Sequence, residues 1–382
     1  MKRPLGPLSF LVPALLVVAL VLSGCGSSEK VIKIGSVAPM SGPNSLDGKY
    51  QKQGIELAIE DVQGALTLGG TKYTIQAFYE DDQGQPDTGA NCFRKLVDQN
   101  KVFAIVGSPF SKVNLAGAPI ANSAKVLTVA SNATNPQVTA IGEYVFRAAF
   151  IDPFQGQVMA KFAKDVLKVT KVAVLYNNAD DYSKGLAEAF SSSFKNLGGE
   201  IVEYQAYGGA DIKDFNPQLV KIKASGAQAI MLPNEHPEVA LQIQQARAMG
   251  ITVPFLGGDS WDNPDLPKLA GEALEGAYIT GLFSNDGKDP KVQAFVQRYQ
   301  KKFGEPPNTK AVAAYDAATV ILQAIAKTGK LDAKAVRDTL ASQAFEGSCG
   351  VIKYDANRNP SRPAFIMQYV KGNLQYVDMI QP

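Results

Sequence analysis

The sequence contains very little histidine and cysteine, and this scarcity excludes several classes of function. Among its 382 residues are one histidine, His236, and three cysteines. One histidine cannot build a metal site of several histidines, and it argues against Ser/His/Asp or Cys/His catalysis. His236 lies beside a proline and is predicted to be a solvated loop residue. We therefore expect no metal ion and no cofactor.

The sequence also lacks the common motifs for nucleotide binding and hydrolysis. Five residues separate Gly42 from Gly48 where a phosphate loop has four, and Tyr50 replaces the hydroxyl residue that would bind Mg²⁺. No G-x-G-x-x-G follows a predicted strand, and no G-x-S-x-G nucleophile motif occurs. We therefore predict that the chain has no catalytic residues and is not an enzyme. A hydrolase using acidic residues is the alternative, and substrate turnover would distinguish it.

The first residues have the pattern of an export signal. Lys2 and Arg3 precede an apolar run from Leu8 to Leu22, and small residues follow. The stretch before Cys25, Leu-Ser-Gly, resembles the lipobox of bacterial lipoproteins. Residues 1–24 are thus predicted to be a lipoprotein signal peptide, Cys25 the lipidated residue and 25–30 a tether. An ordinary signal peptide with an unrelated cysteine is the alternative.

Export has consequences for charge and for the remaining cysteines. Once Lys2 and Arg3 are removed, basic residues equal the 36 acidic ones, so no basic surplus favours nucleic acid. We expect a protein that is anchored to the membrane and faces the periplasm or the cell exterior. Disulfides persist in such compartments. Cys92 and Cys349 either form a disulfide or are small buried apolar residues, and the sequence leaves both open.

Short apolar runs alternate with helical patterns along most of the chain. Most of these runs are continuously apolar, which is typical of parallel strands covered on both faces. The repetition of strand, helix and strand predicts an α/β protein with doubly wound sheets in two lobes. Two long helical patterns near the end, 292–303 and 313–328, are predicted to return to the first lobe. The eight predicted strands are 31–37, 73–79, 102–106, 126–130, 172–176, 201–204, 229–232 and 253–256.

Polar residues follow several of these strands, at the edge where open α/β sheets bind ligands. The ends of the third and fourth runs offer hydroxyls, amides and free backbone N–H groups near helix starts, which suit an anion. The ends of the last two runs offer carboxylates. Together the two sets suit a zwitterion, although such residues are also common helix caps and turn formers. The candidates are Ser111, Asn132, Thr134, Tyr182, Glu235, Asp259 and Trp261.

Several motifs resemble one known family, the leucine/isoleucine/valine-binding proteins, which are type I periplasmic solute-binding components of ABC importers. The likeness covers most of the mature chain, and none of the motifs is catalytic. They are Ile34-Gly35 with Met40-Ser41-Gly42-Pro43, Tyr182 with Gly185-Leu186-Ala187, His236-Pro237-Glu238 with Gln245-Ala246-Arg247-Ala248, Ala270-Gly271-Glu272 with Glu275-Gly276, and Ala314-Tyr315-Asp316.

The resemblance implies the periplasmic binding protein-like I fold, in which two Rossmann-like lobes are joined by a three-strand hinge and close on a ligand. It places the crossings near 145–149, 279–282 and 361–365. The N-terminal lobe is then 31–146 plus 282–362, and the C-terminal lobe is 147–281 plus 363–382. The implied partners are an amino acid, the permease and its ATPase subunits, and the membrane through the lipid anchor. The chain is expected to be a monomer.

The family's binding roles carry over to individual positions of this sequence. Ser111, Asn132 and Thr134 correspond to the grip on the ligand carboxylate, Tyr182 to an aromatic wall, and Asp259 to the acid that takes the ammonium. Asn132 departs from the small residue of the family, and Asp259 is one methylene shorter than the usual Glu.

Two further departures concern the ligand's side chain. Asp47 and Glu235 stand where aliphatic-specific members have aromatic residues, and a buried carboxylate against an isobutyl group is costly. The resemblance implies a branched-chain or other small amino acid, whereas these acids favour a polar or cationic solute, with Trp261 stacked over it. Alternatively, Asp47 and Glu235 point to solvent at the rim. A ligand-sensing receptor on the same fold remains an alternative function.

Overall fold

The computed structural model describes Met1 and residues 30–209 and 212–382. The predicted signal peptide, the tether up to residue 29 and Cys25 therefore lie outside the described residues. Within the described ranges, no helix combines the length and the apolar character needed to cross a membrane.

The described elements alternate between strands and helices through most of the chain. The strands are β1 (Val31–Ala38), β2 (Ala65–Leu68), β3 (Thr71–Asp81), β4 (Ala104–Gly107), β5 (Leu127–Ala130), β6 (Val145–Arg147), β7 (Lys171–Asn177), β8 (Glu200–Tyr207), β9 (Ala229–Met231), β10 (Phe255–Gly257), β11 (Tyr278–Gly281), β12 (Ala344–Gly347), β13 (Gly350–Lys353), β14 (Ala364–Val370) and β15 (Asn373–Ile380). The helices are α1 (Ser45–Asp61), α2 (Pro86–Lys95), α3 (Ser111–Ser123), α4 (Gln137–Ala140), α5 (Asp152–Asp165), α6 (Asp181–Asn196), α7 (Asn216–Ala224), α8 (His236–Ala248), α9 (Asp265–Ala270), α10 (Pro290–Phe303), α11 (Thr309–Thr328) and α12 (Ala333–Ser342).

The first lobe is built on a sheet with the strand order β2-β3-β1-β4-β5-β6. From β3 to β6 all neighbouring strands are parallel, and β2 is antiparallel to β3. Helix α11 packs along α1 and against β4 and β5, so the long C-terminal helix returns to this sheet as predicted. Helices on both faces bury the sheet, which explains why every residue of β4 and β5 is buried and all but Thr128 are apolar or glycine.

The second lobe is built on a sheet with the order β15-β14-β11-β10-β9-β7-β8. The strands from β8 to β11 are parallel neighbours, whereas β14 and β15 add an antiparallel hairpin at one edge. Each of the eight predicted strands overlaps an observed strand. The prediction of two doubly wound lobes is thereby confirmed, while β2, the small hairpin of β12 and β13 and the edge strand β15 were not predicted.

The polypeptide changes lobes after β6, after β11 and before β14. Arg362 lies at the last of these passages and is buried. Its guanidinium lies 2.6 Å from Asp316 Oδ2 of α11 and donates to the carbonyl oxygen of Ala148 at 2.9 Å. Arg362 therefore holds the chain segments after β6 and before β14 against helix α11 of the first lobe. The lobe boundaries at 146/147, 281/282 and 362/363 stay a prediction.

The possible disulfide between Cys92 and Cys349 is wrong, because both thiols are free. Cys92 packs beside Phe93 under the first sheet, and its Sγ lies 3.3 Å from the carbonyl oxygen of Asp81. Cys349 lies in the β12–β13 turn, beside the apolar cluster between α10 and α11. The two residues belong to different packing layers of the lobe, which keeps the thiols apart.

Candidate ligand-binding site between the lobes

A small cavity lies where the two lobes meet, at the carboxyl ends of β4, β5, β7, β9 and β10. Its volume is about 10 Å³, which is room for about one water molecule and far below the roughly 300–1,000 Å³ typical of pockets for drug-sized ligands. Six of the eight predicted ligand-binding residues line it, and Asp47 and Trp261 do not. The lining residues are Pro109, Phe110, Ser111, Asn132, Thr134, Tyr182, Glu235, Asp259, Ser260 and Lys310.

The first lobe contributes hydroxyl groups to this cavity. Ser111 is the first residue of α3, so it lies where helix N–H groups lack intrahelical partners and the helix dipole favours an anion. Its Oγ accepts a hydrogen bond from the backbone N–H of Asn135 at 3.3 Å. Thr134 is fully buried, and its Oγ1 has no hydrogen-bond partner among the described residues. Two hydroxyls and a helix start therefore face the cavity together.

The buried guanidinium of Arg147 holds the loop that carries Thr134. Arg147 is fully buried at the end of β6. Its Nη1 donates to the carbonyl oxygen of Ala133 and its Nη2 to that of Asn135, both at 2.7 Å. These bonds fix the backbone on either side of Thr134. Burial lowers the pKa of Arg147 to about 10, so the group stays charged at neutral pH.

The second lobe contributes the carboxylate of Asp259. The residue is 1% exposed, and its backbone N–H donates to Gln155 Oε1 at 2.8 Å. Tyr182 OH lies 3.2 Å from Asp259 Oδ1. A Cβ atom on Gly258 would lie 2.2 Å from this hydroxyl, so only glycine lets the tyrosine approach. Tyr182 itself is placed by its helix cap, since Asp180 accepts from the Tyr182 N–H.

Direct hydrogen bonds join the two lobes around the cavity. Asn132 Nδ2 donates to Asp259 Oδ2 at 2.6 Å. Beside the cavity, Asn263 Nδ2 donates to Asp47 Oδ1 at 2.8 Å, and the backbone N–H of Thr309 donates to Asp262 Oδ2 at 2.7 Å. Each of these bonds pairs one residue from each lobe. The structure therefore has the lobes closed on each other.

Lys310 is a lining residue that the sequence analysis missed. It lies in the first turn of α11 and is 2% exposed. Its Nζ reaches across to the carbonyl oxygen of Asp259 at 3.3 Å. Burial alone would lower the pKa of Lys310, but the carboxylates of Asp259, Asp47 and Glu235 outweigh it and raise the pKa above its ordinary value. The side chain is therefore a buried cation.

The structure corrects three positions of the sequence analysis. Trp261 does not line the cavity but is fully buried in the core of the second lobe. Its ring packs against Gly257, and its Nε1 donates to the carbonyl oxygen of Leu232. Asp47 is fully buried and accepts a hydrogen bond from Asn263, so it lies neither at a solvent-exposed rim nor in the cavity lining. His236 begins α8 and is 1% exposed rather than solvated.

Two further acids have carboxyl groups with raised pKa values. Burial raises the pKa of Glu235 well above its usual range, although the positive charge of Lys310 lowers it, and the charges of Asp180 and Asp47 raise it further. Glu235 Oε2 is buried and has no hydrogen-bond partner in the described parts of the chain. Burial also raises the pKa of Asp152, at the start of α5, to about 8. The carboxyl group of Asp152 is therefore largely protonated at neutral pH.

Comparison with known proteins identifies similar chains over nearly the whole length. The model of the periplasmic binding protein family matches residues 31–373. The leucine-, isoleucine-, valine-, threonine-, and alanine-binding protein of Pseudomonas aeruginosa is 29% identical over 341 residues, which are 88% of this chain and 90% of that one.

Two solved structures are similar to this chain over most of its length. The leucine-binding protein LivK of Thermotoga maritima has a TM-score of 0.86 and 33% identity, covering 92% of this chain and 99% of its own. LivJ of Streptococcus pneumoniae, a branched-chain amino acid transporter substrate-binding protein in complex with isoleucine, has a TM-score of 0.85 and 31% identity, covering 92% and 100%.

Proposed function

This chain belongs to the periplasmic binding protein family, and we propose that it captures a small zwitterionic amino acid between its lobes and delivers it to the permease of an ABC importer. The ATPase subunits of that importer would be its further partners. The similar proteins from Pseudomonas, Thermotoga and Streptococcus support this proposal, because their names describe amino acid binding.

The observation that carries the proposal is the opposed chemistry of the two cavity walls. The hydroxyls of Ser111 and Thr134 lie on the first-lobe wall with the start of α3, which suits an α-carboxylate. The carboxylate of Asp259 lies on the second-lobe wall beside Tyr182, which suits an α-ammonium. An amino acid carries both groups on one carbon atom, so it can bridge the walls and stabilise the closed arrangement.

We infer that the protein acts by binding alone and is not an enzyme. The family consists of solute-binding proteins, and the cavity residues already have roles in holding a ligand. The lobes would be 31–146 plus 282–362 and 147–281 plus 363–382, with closure about the passages between them. A lipid on Cys25 would keep the monomeric protein beside its permease on the outer face of the membrane.

A thermal-shift screen tests the proposed function. The mature chain from residue 25, carrying Cys25→Ala and refolded to remove copurified ligand, is heated with each common amino acid, with polyamines and with simple aromatic and aliphatic acids. A ligand at 100 times its Kd stabilises the folded state by about 2.7 kcal/mol. The proposal expects a shift with at least one amino acid. A shift only with acids that lack an amino group, or no shift at all, would contradict it.

A further inference from the structure

The geometry points to a polar subsite for the ligand's side chain, formed by Lys310 and Glu235, which selects an uncharged side chain with a hydroxyl or carboxamide over a branched aliphatic one. The inference rests on the proposed function, since it specifies which amino acid the same cavity takes. It goes beyond the family resemblance, which implies a preference for branched-chain amino acids.

The position of Lys310 is unfavourable for stability alone. The side chain is 2% exposed, and burying an ammonium group is costly unless it is paired and hydrogen-bonded. It also lies in the first turn of the 20-residue helix α11, where the helix dipole disfavours a cation. The neighbouring carboxylates of Asp259, Asp47, Glu235 and Asp262 compensate for the charge. An apolar residue could occupy this helix position without these costs. The presence of a lysine here therefore argues that Lys310 has a role in ligand binding.

The ammonium group of Lys310 has spare hydrogen-bonding capacity. It carries three N–H donors. Within the described residues, one hydrogen bond is found, to the carbonyl oxygen of Asp259 at 3.3 Å. The side chain lines the cavity, so its remaining donors are available to an acceptor on the ligand. A hydroxyl or carboxamide oxygen supplies such an acceptor.

Glu235 supplies the complementary group from the second lobe. Its Oε2 is buried without a partner anywhere in the described chain, and the residue lines the cavity together with Lys310. A carboxyl group accepts hydrogen bonds, and when it is protonated it also donates one. A side chain that also does both, such as a hydroxyl or a carboxamide, can therefore contact Lys310 and Glu235 at once.

Other side-chain classes fit this pair less well. A branched aliphatic group would leave the Lys310 donors and Glu235 Oε2 without partners in a closed cavity, and unpaired buried polar groups are costly. A cationic side chain would face the Lys310 ammonium, and an anionic one would add to the carboxylates of Asp47 and Asp259 that already surround it.

Matched pairs of amino acids test the subsite by titration calorimetry on the mature chain carrying Cys25→Ala. Threonine and valine have nearly the same shape and differ by a hydroxyl group, and asparagine and leucine form a second pair of similar size. We expect threonine to bind at least tenfold more tightly than valine, or asparagine at least tenfold more tightly than leucine. Equal or tighter binding of valine and leucine would overturn the inference and leave the proposed function standing. Absence of binding by every amino acid would overturn both.

Variants then assign the preference to Lys310. Lys310→Met should reduce the affinity for the preferred polar ligand by about 10- to 100-fold, the usual effect of losing a hydrogen bond to a charged group. The double variant Lys310→Met with Glu235→Leu removes both polar groups and should reverse the preference within the matched pair. Lys291→Met is the control, since Lys291 also lies in the first turn of a helix, α10, but is 65% exposed. An unchanged preference in the folded double variant would overturn the assignment.

Discussion

The side-chain amide of Asn132 donates a hydrogen bond to Asp259 Oδ2 at 2.6 Å and so joins the end of β5 in the first lobe to the end of β10 in the second. Both residues are almost fully buried. The same carboxylate is 3.2 Å from Tyr182 OH, and a carboxylate can accept further hydrogen bonds at its remaining lone pairs. One acid thus serves both lobe closure and, in our proposal, the ligand's ammonium, which couples closure to binding.

Asp259→Asn should weaken amino acid binding by about 100-fold or more. The amide keeps the size of the side chain but removes the negative charge, and a hydrogen-bonded charge pair buried at an interface contributes strongly to affinity. Titration calorimetry with the best amino acid measures the effect. Ser260→Ala is the uncharged comparison on the same wall, because Ser260 Oγ accepts from Tyr182 OH at 3.1 Å and donates to the carbonyl oxygen of Asn234 at 2.8 Å but carries no charge. Similar affinity in both variants would remove Asp259 from the ammonium role.

Arg147→Met should both destabilise the protein and weaken ligand binding. The substitution leaves the buried carbonyl oxygens of Ala133 and Asn135 without their donors, at about 1–3 kcal/mol for each. It also frees the loop that carries Thr134. The free energy of unfolding in urea and the affinity below the melting temperature measure the two effects. Arg94→Met, at an exposed position of α2, should change neither. Lower stability with unchanged affinity would show that Arg147 does not position the carboxylate grip.

The protonated carboxyl group of Asp152 should make stability fall as pH rises towards 8. Burial raises its pKa to about 8 in the folded chain, from an ordinary value of 3.8. Between these values the folded state binds a proton that the unfolded state has released. The stabilisation from this group is therefore fully present below about pH 4 and is lost as the pH rises to about 8. Over this range the free energy of unfolding falls by at most about 1.4 kcal/mol per pH unit.

Asp152→Asn removes this contribution, because the amide does not titrate. Urea unfolding midpoints at pH 5, 6, 7 and 8 should fall less steeply for the variant than for the wild type. Asp265→Asn is a suitable control, since Asp265 also begins a helix, α9, but is partly exposed. Parallel pH profiles for wild type and Asp152→Asn would contradict the prediction.

The strands of both lobes could be predicted because their residues carry a strong local signal. Runs such as 102–106 and 229–232 are continuously apolar, which is what burial on both faces of a parallel sheet requires. The polar residues after them could be placed at one edge by the same rule. The edge strand β15 gave no such signal, because most of its residues are exposed. The Cys92–Cys349 pairing depended on a distance that the sequence does not contain.

The sequence rule for strand ends identified which loops reach the site but not which side chains enter it. Asp259 and Trp261 follow the same strand, yet one lines the cavity and the other packs into the core. Lys310 is 51 positions from Asp259 and meets it only because α11 returns to the first lobe. A lysine in the first turn of an apolar helix contradicts the helix dipole preference, and this anomaly was the available signal.

Cys25→Ala should release the protein from membranes. Two or more acyl chains anchor a protein stably, whereas a protein without them depends on weaker contacts. Membrane and soluble fractions of cells that express the wild type or the variant are compared by immunoblotting, and Cys92→Ala is the control because Cys92 is buried. Continued membrane association of Cys25→Ala would contradict the lipoprotein prediction.

The most direct test of the central claim is a titration of the mature chain with one bound amino acid and two of its analogues. One analogue lacks the α-amino group and the other lacks the α-carboxyl group, so each removes the partner of one cavity wall. Our account predicts that each loss weakens binding by about 100-fold or more, in line with the loss of a buried charged contact. If either analogue bound as tightly as the amino acid itself, the ligand would not be held as a zwitterion between Asp259 and the hydroxyls of Ser111 and Thr134.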